Sequence, residues 1–106
     1  MTIWSASVSV SLSAGNASCS YGLNGTTSCT ASTTITATPS GGFSPYTYAW
    51  SKVSGAGSIS GSGSSITVSN TGNSNTSGTF KCVVTDSQGN TGSNQITVNF
   101  TYTYVG

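Results

Sequence analysis

Histidine and arginine are absent from this chain of 106 residues, and its only charged side chains are Lys52, Lys81 and Asp86. Charged residues make up 3% of the sequence, against about 25% in an ordinary soluble domain. Each shortage excludes a chemistry. Without a basic patch nothing neutralises phosphates, so no nucleic-acid partner is expected. A polybasic attachment to a membrane surface is excluded for the same reason. A single acid cannot make a carboxylate pair, and no imidazole is present to act as a base, which removes most hydrolytic chemistry. The chain is therefore read as non-enzymatic, with no cofactor. No apolar run approaches the roughly 18 residues of a membrane-spanning helix. The first residues, Met-Thr-Ile-Trp-Ser-Ala, have neither the basic nor the apolar stretch of a secretory signal. The expectation is a complete reading frame made in a cytoplasm.

What is present is hydroxyl. About four in ten residues are Ser or Thr, and 34% are hydrophobic. Such a surface is hydrated without charge, so its interactions should respond little to salt. At about 100–150 residues per domain, the length fits one domain over residues 1–106.

The periodicity is that of strands, not helices. Trp4, Ala6, Val8, Val10 and Leu12 alternate with serines, as in a half-buried strand. Cys19-Ser20-Tyr21 and Ser28-Cys29-Thr30 flank Leu23-Asn24-Gly25, which reads as a tight hairpin over residues 17–31 with Gly25 left-handed. A β-branched strand over 34–38 stops at Pro39-Ser40-Gly41-Gly42. Tyr46, Tyr48 and Trp50 share one face of the next strand. Residues 54–65 read as a short edge strand or loop around Ile59, Ile66 and Val68 as a short strand, and 70–78 as a polar loop. Phe80, Cys82 and Val84 alternate on the strand over 79–85. Ile96, Val98, Phe100, Tyr102 and Tyr104 alternate on a long last strand. Seven to eight antiparallel strands with no helix indicate a β-sandwich with an extra N-terminal hairpin.

Trp50 on a central strand, followed by Phe80-Lys81-Cys82-Val83-Val84-Thr85-Asp86, resembles an immunoglobulin-type sandwich, in which the Trp packs the core and the Cys lies on strand F. Two phrases are more specific: Pro-Ser-Gly-Gly-Phe-Ser-Pro-Tyr-Thr-Tyr-Ala-Trp-Ser (39–51) and Cys-Val-Val-Thr-Asp-Ser-Gln-Gly-Asn-Thr (82–91). They resemble the Ig-like and PKD-like modules of tailed-bacteriophage virion proteins and of bacterial surface proteins. The resemblance covers roughly residues 33–100. It implies an immunoglobulin-like fold and a place among other virion proteins.

An Ig-type disulfide would join Cys82 to a strand-B position such as 35 or 37, which are Ile and Ala here. Cys19 and Cys29 fall opposite each other in a hairpin with a three-residue loop, within disulfide reach. The expected bridge in oxidised protein is Cys19–Cys29, with Cys82 a buried free thiol; a Cys29–Cys82 bridge is the alternative. A nucleophilic Cys would need a base, and zinc a further ligand beside the thiols, and neither is supplied. Asp86 suits an Asx-type turn better than a Ca²⁺ site, because its neighbours are neutral. Lys52 and Lys81 read as solvated. The sequons at Asn16, Asn24, Asn75 and Asn99 are expected by chance in this composition.

The expected core holds Trp50, Tyr48, Phe80, Cys82, Val84, Ile96 and Val98. Trp4, Phe100, Tyr102 and Tyr104, at the ends of the two long terminal strands, are the candidate interface. Residues 1–6 and 100–106 would dock there by strand addition and aromatic burial, since no Lys, Glu or Pro guards those edges. The favoured function is a structural accessory on a tailed-phage particle, decorating capsid or tail beside other virion proteins. It would be made in host cytoplasm and carried in the virion, with surface glycans as possible weak ligands. The alternatives are a carbohydrate-binding adhesin module, marked by an exposed coplanar aromatic pair, and a piece of a larger surface protein.

Overall fold

The computed structural model describes residues 7–105. These form eight strands: β1 (Ser9–Ala14), β2 (Ala17–Tyr21), β3 (Cys29–Ser40), β4 (Thr47–Gly55), β5 (Ser58–Ser60), β6 (Ser65–Gly72), β7 (Thr76–Thr85) and β8 (Thr91–Tyr104). They make two four-stranded sheets, ordered β1-β3-β6-β5 and β2-β8-β7-β4. Alternation along each strand creates the apolar inner layers. On β7, Phe80, Cys82 and Val84 are fully buried, while Thr79, Lys81 and Val83 between them are half-exposed. Ile35 on β3, Val68 on β6 and Phe100 on β8 meet Phe80 in one apolar cluster. Val8, Val10, Ala37, Cys82 and Val84 form a second cluster. Each such side chain removed from water stabilises the fold by about 1.5–3 kcal/mol.

The strands are staggered along the long axis. β6 pairs with the Cys29–Thr36 part of β3, whereas β1 pairs with its Ile35–Ser40 part. The resulting body measures 70 × 19 × 16 Å, with a radius of gyration of 17.3 Å, where a compact chain of this size has about 13 Å. Two glycines let backbones pass flush inside this narrow body. A Cβ at Gly78 would run into the Ala56 carbonyl oxygen, and one at Gly92 into that of Val8.

Four sequence expectations are corrected. First, residues 17–31 are not a hairpin. β2 pairs in parallel with β8, from Ala17↔Phe100 to Tyr21↔Tyr104, and β3 belongs to the other sheet. An isolated two-stranded hairpin is marginal in water; lying on β8, β2 instead buries Ala17 completely. Residues 22–28 carry the chain between the sheets, through a 3-10 turn at Leu23–Gly25. Second, β8 is not an edge strand, because β2 and β7 flank it. Third, residues 70–78 are mostly strand, with only 73–75 between β6 and β7. Fourth, Trp50, Tyr48 and Ile96 are half-buried rather than fully so. β4 is the outermost strand of its sheet, so Trp50 and Tyr48 lack a neighbour on one side. Trp50 still packs against both clusters, and its Nε1–H donates to the Gly63 carbonyl at 2.8 Å.

The outer edges are short or irregular, which discourages further pairing. β5 has three residues, and β4 carries a register shift between Lys52 and Ser54.

Candidate functional site

Asp86 ties together one end of the rod. It is 5% exposed. Its Oδ1 accepts from the Gln88 N–H at 2.9 Å and the Asn90 N–H at 2.7 Å. Its Oδ2 accepts from the Phe43 N–H at 3.0 Å and from Asn90 Nδ2 at 2.9 Å. The Ser87 N–H donates to the Phe43 carbonyl at 2.9 Å, closing the 86–90 turn onto the 41–46 loop. Burial pushes the carboxyl pKa up, but the bonds from Asn90, Gln88 and Phe43 outweigh it and hold the group below its ordinary value. Four donors aim positive hydrogens at the carboxylate, the reverse of a cation site. Among the described residues no cluster of three or more His, Cys, Asp or Glu is present. Asp86 is thus a structural anion for backbone amides, not a free acid or base.

At the opposite end Cys19 and Cys29 are joined by a disulfide with Cα atoms 6.1 Å apart. The bond crosses between the sheets, from β2 to β3, rather than between hairpin partners. Cys82 is a buried free thiol. Burial raises its pKa and outweighs a hydrogen bond with the Ala49 backbone, so the reactive thiolate is disfavoured. Folded, non-reduced protein should therefore take up no iodoacetamide, and denaturation without reductant should allow one addition per chain, at Cys82. Labelling of Cys82 in the folded state, counted by intact mass, would contradict this burial.

The aromatic residues divide in a way that the sequence reading did not anticipate. Phe100 is fully buried and Tyr102 is 8% exposed, so these two candidate interface residues belong to the core. Their strand lies between two others, and its inner face is closed over by the second sheet. Tyr102 is also held by its polar atoms. Its hydroxyl donates to the Asn70 carbonyl at 2.9 Å and accepts from Asn70 Nδ2 at 2.8 Å. Its N–H donates to Asn75 Oδ1 at 2.8 Å. Asn70 had no distinguishing mark in a segment rich in Asn, Ser and Thr, and Asn75 stood out only as a sequon. Trp4 lies outside the described residues.

Tyr104 is 67% exposed and meets Tyr21 edge-to-face, with ring centroids 5.5 Å apart and planes at 61°. Leu23 and Val105 are also exposed at this end. No charged side chain occurs in residues 17–31, 70–76 or 100–105, so the side chains of these segments offer apolar, hydroxyl and amide contacts. The Tyr21 and Tyr104 rings are not coplanar and make no flat platform for a sugar ring.

Hydroxyls cover the sheet faces. Thr30 and Thr71 meet at 2.7 Å, and Thr79 and Thr97 at 3.0 Å, across neighbouring strands. Such pairs satisfy each other and leave a neutral, hydrated surface.

No protein-family model, curated protein or solved structure matches this chain.

Proposed function

We propose that the chain is a non-enzymatic Ig-like accessory component of a tailed-phage virion, held among capsid or tail proteins by uncharged contacts. The observation that carries this reading is the strand order. A β1-β3-β6-β5 sheet facing a sheet in which β4, β7 and β8 are neighbours is compatible with the A-B-E-D and C-F-G sheets of an immunoglobulin-type sandwich, and it supports the Ig-like part of this reading. The phrases at 39–51 and 82–91, which resemble phage Ig-like modules, occupy its β3–β4 and β7–β8 corners. The state of Asp86 and Cys82 supports a structural role: the sole side-chain carboxylate is fully engaged by hydrogen-bond donors, and the free thiol is buried.

The burial of Tyr102 decides which substitutions can test attachment. Deleting residues 101–106 would strip the core as well as any interface, so the informative substitutions are at exposed positions, Tyr104→Ser and Leu23→Ser. Particles purified from the lysate of the encoding phage should contain this chain in fixed ratio to the major capsid or tail protein by quantitative mass spectrometry. Raising salt from about 0.05 to about 1 M, which shrinks the Debye length to about 3 Å, should not release it. Absence from the particles would refute the virion reading, and release by salt alone would refute an uncharged interface.

A further inference from the structure

We infer that the Cys19–Cys29 disulfide is a redox latch on β2. Closed, it holds β2 on β8; reduced, it lets the β2–β8 seam open while the rest of the sandwich stays folded. β2 is a five-residue strand at the edge of its sheet, with β8 as its ladder partner. Besides the sulfur bridge it is held by its parallel ladder with β8 and by the edge-to-face contact of the Tyr21 and Tyr104 rings. Ala17 is fully buried, and the Val105 N–H donates to the Tyr21 carbonyl at 2.7 Å. Thr101 Oγ1 donates to the Ala17 carbonyl at 3.3 Å, and the Tyr21 hydroxyl to the Asn73 carbonyl at 3.2 Å.

β1 is paired with β3 up to Ala14, so the link into β2 is Gly15 and Asn16; these two and residues 23–28 are exposed. The 22–28 loop bonds largely to itself, with the Gly22 N–H donating to Thr26 Oγ1 and Thr26 Oγ1 to the Leu23 carbonyl. Its tie to the next turn is Asn73 Nδ2 donating to the Thr27 carbonyl at 3.1 Å. The second, smaller apolar cluster contains no residue of β2, so that part of the core does not depend on the strand.

The bridge is accessible where the remaining thiol is not. Cys19 and Cys29 are half-buried, while Cys82 is sealed in the core. A dithiol such as dithiothreitol attacks one sulfur as its thiolate, breaking the S–S bond and forming a mixed disulfide. The partner cysteine leaves as its thiolate, and the reagent's second thiolate then attacks the reagent sulfur of the mixed disulfide and displaces the protein sulfur bonded to it. Two electrons and two protons pass to Cys19 and Cys29, and the reagent leaves as its cyclic disulfide. Removing a ring closed over a sequence separation of 10 shifts an opening equilibrium on the order of 10²-fold in the chain-entropy account. The biological setting rests on the virion reading, in which the chain is made in a reducing cytoplasm and later meets an oxidising exterior. The test does not depend on that reading, whose own failure would be read from particle composition.

The test is amide hydrogen exchange on the whole chain, followed by mass spectrometry, with and without dithiothreitol at constant pH. The Cys19→Ser/Cys29→Ser variant without reductant separates the effect of the bridge from that of the reagent. On reduction, amides of residues 17–21 and 101–105 should exchange at least tenfold faster, while residues 80–84 and 92–98 change less than threefold. Acceleration of the seam by less than tenfold would overturn the latch. So would acceleration of residues 80–84 and 92–98 by threefold or more, because the disulfide would then support the whole fold rather than one strand.

Discussion

Phe100→Ala should lower the melting temperature by about 15–30 °C, a loss of the same class as that from truncating Phe80, the other fully buried ring of the same cluster. Its ring is fully buried and lies on β8 between Ala17 of β2 and Thr76 of β7. It also packs beneath Gly57, where an added Cβ would come within 3.0 Å of the Phe100 ring. Truncating a buried Phe costs about 3–5 kcal/mol, the transfer term plus a cavity that rigid neighbours cannot collapse. A domain of this size has about 5–15 kcal/mol in total and loses about 4–8 °C per kcal/mol. Trp50→Ala should cost less, because the indole is half-exposed at the outermost strand. Tyr104→Ala, at 67% exposure, should cost least. Thermal unfolding of the three variants checks the order Phe100, Trp50, Tyr104. A Tyr104 loss as large as that of Phe100 would mean that the last strand is wrongly placed.

That order differs from what the sequence suggests, and the reason is topological. Alternation on β8 shows that Val98, Phe100 and Tyr102 share a face, but not whether that face meets this chain or another one. The answer depends on β2, whose five residues join the far side of β8 in parallel. Nothing in Ala-Ser-Cys-Ser-Tyr names a partner about 80 residues away, whereas a local hairpin with Gly25 explains the same residues with less chain closure. The Cys19–Cys29 spacing fits either arrangement, because a bridge needs two nearby Cβ atoms and is indifferent to whether they lie in one sheet or two. Strand positions carrying a strict period of two, such as Phe80, Cys82 and Val84, were legible because their neighbours are Thr, Lys and Val on the outer face. Trp50 shows the limit of that signal: its register is right, but depth depends on how many strands lie outside β4. The Asp86 turn was legible from composition. Its reach across to the Phe43 N–H was not, since it joins segments 43 residues apart.

Asp86→Ala should destabilise the chain at neutral pH and abolish the acid limb of its stability curve. The carboxylate accepts four hydrogen bonds, three of them from backbone N–H groups of Phe43, Gln88 and Asn90 that would otherwise be left facing a poorly hydrated corner. Those bonds favour the charged form and hold the folded pKa below the ordinary 3.8. A group with a depressed folded pKa contributes stability that is fully present above its unfolded pKa and is lost as pH falls through the folded one. The wild-type melting temperature should therefore stay level from pH 7 to about pH 5 and fall once the pH drops below about 3.8. Asp86 is the only acidic side chain in the sequence, and the C-terminal carboxyl is common to wild type and variant, so their difference isolates a single group. Asp86→Asn should behave like the Ala variant in pH dependence. It should also remain weaker than wild type at pH 7, because an amide replaces one acceptor oxygen with a donor that faces other donors. Melting curves between pH 2 and pH 7 decide the matter. An acid limb that persists in Asp86→Ala, or a wild-type curve that stays flat down to pH 2, would show that this corner does not hold the end of the sandwich together.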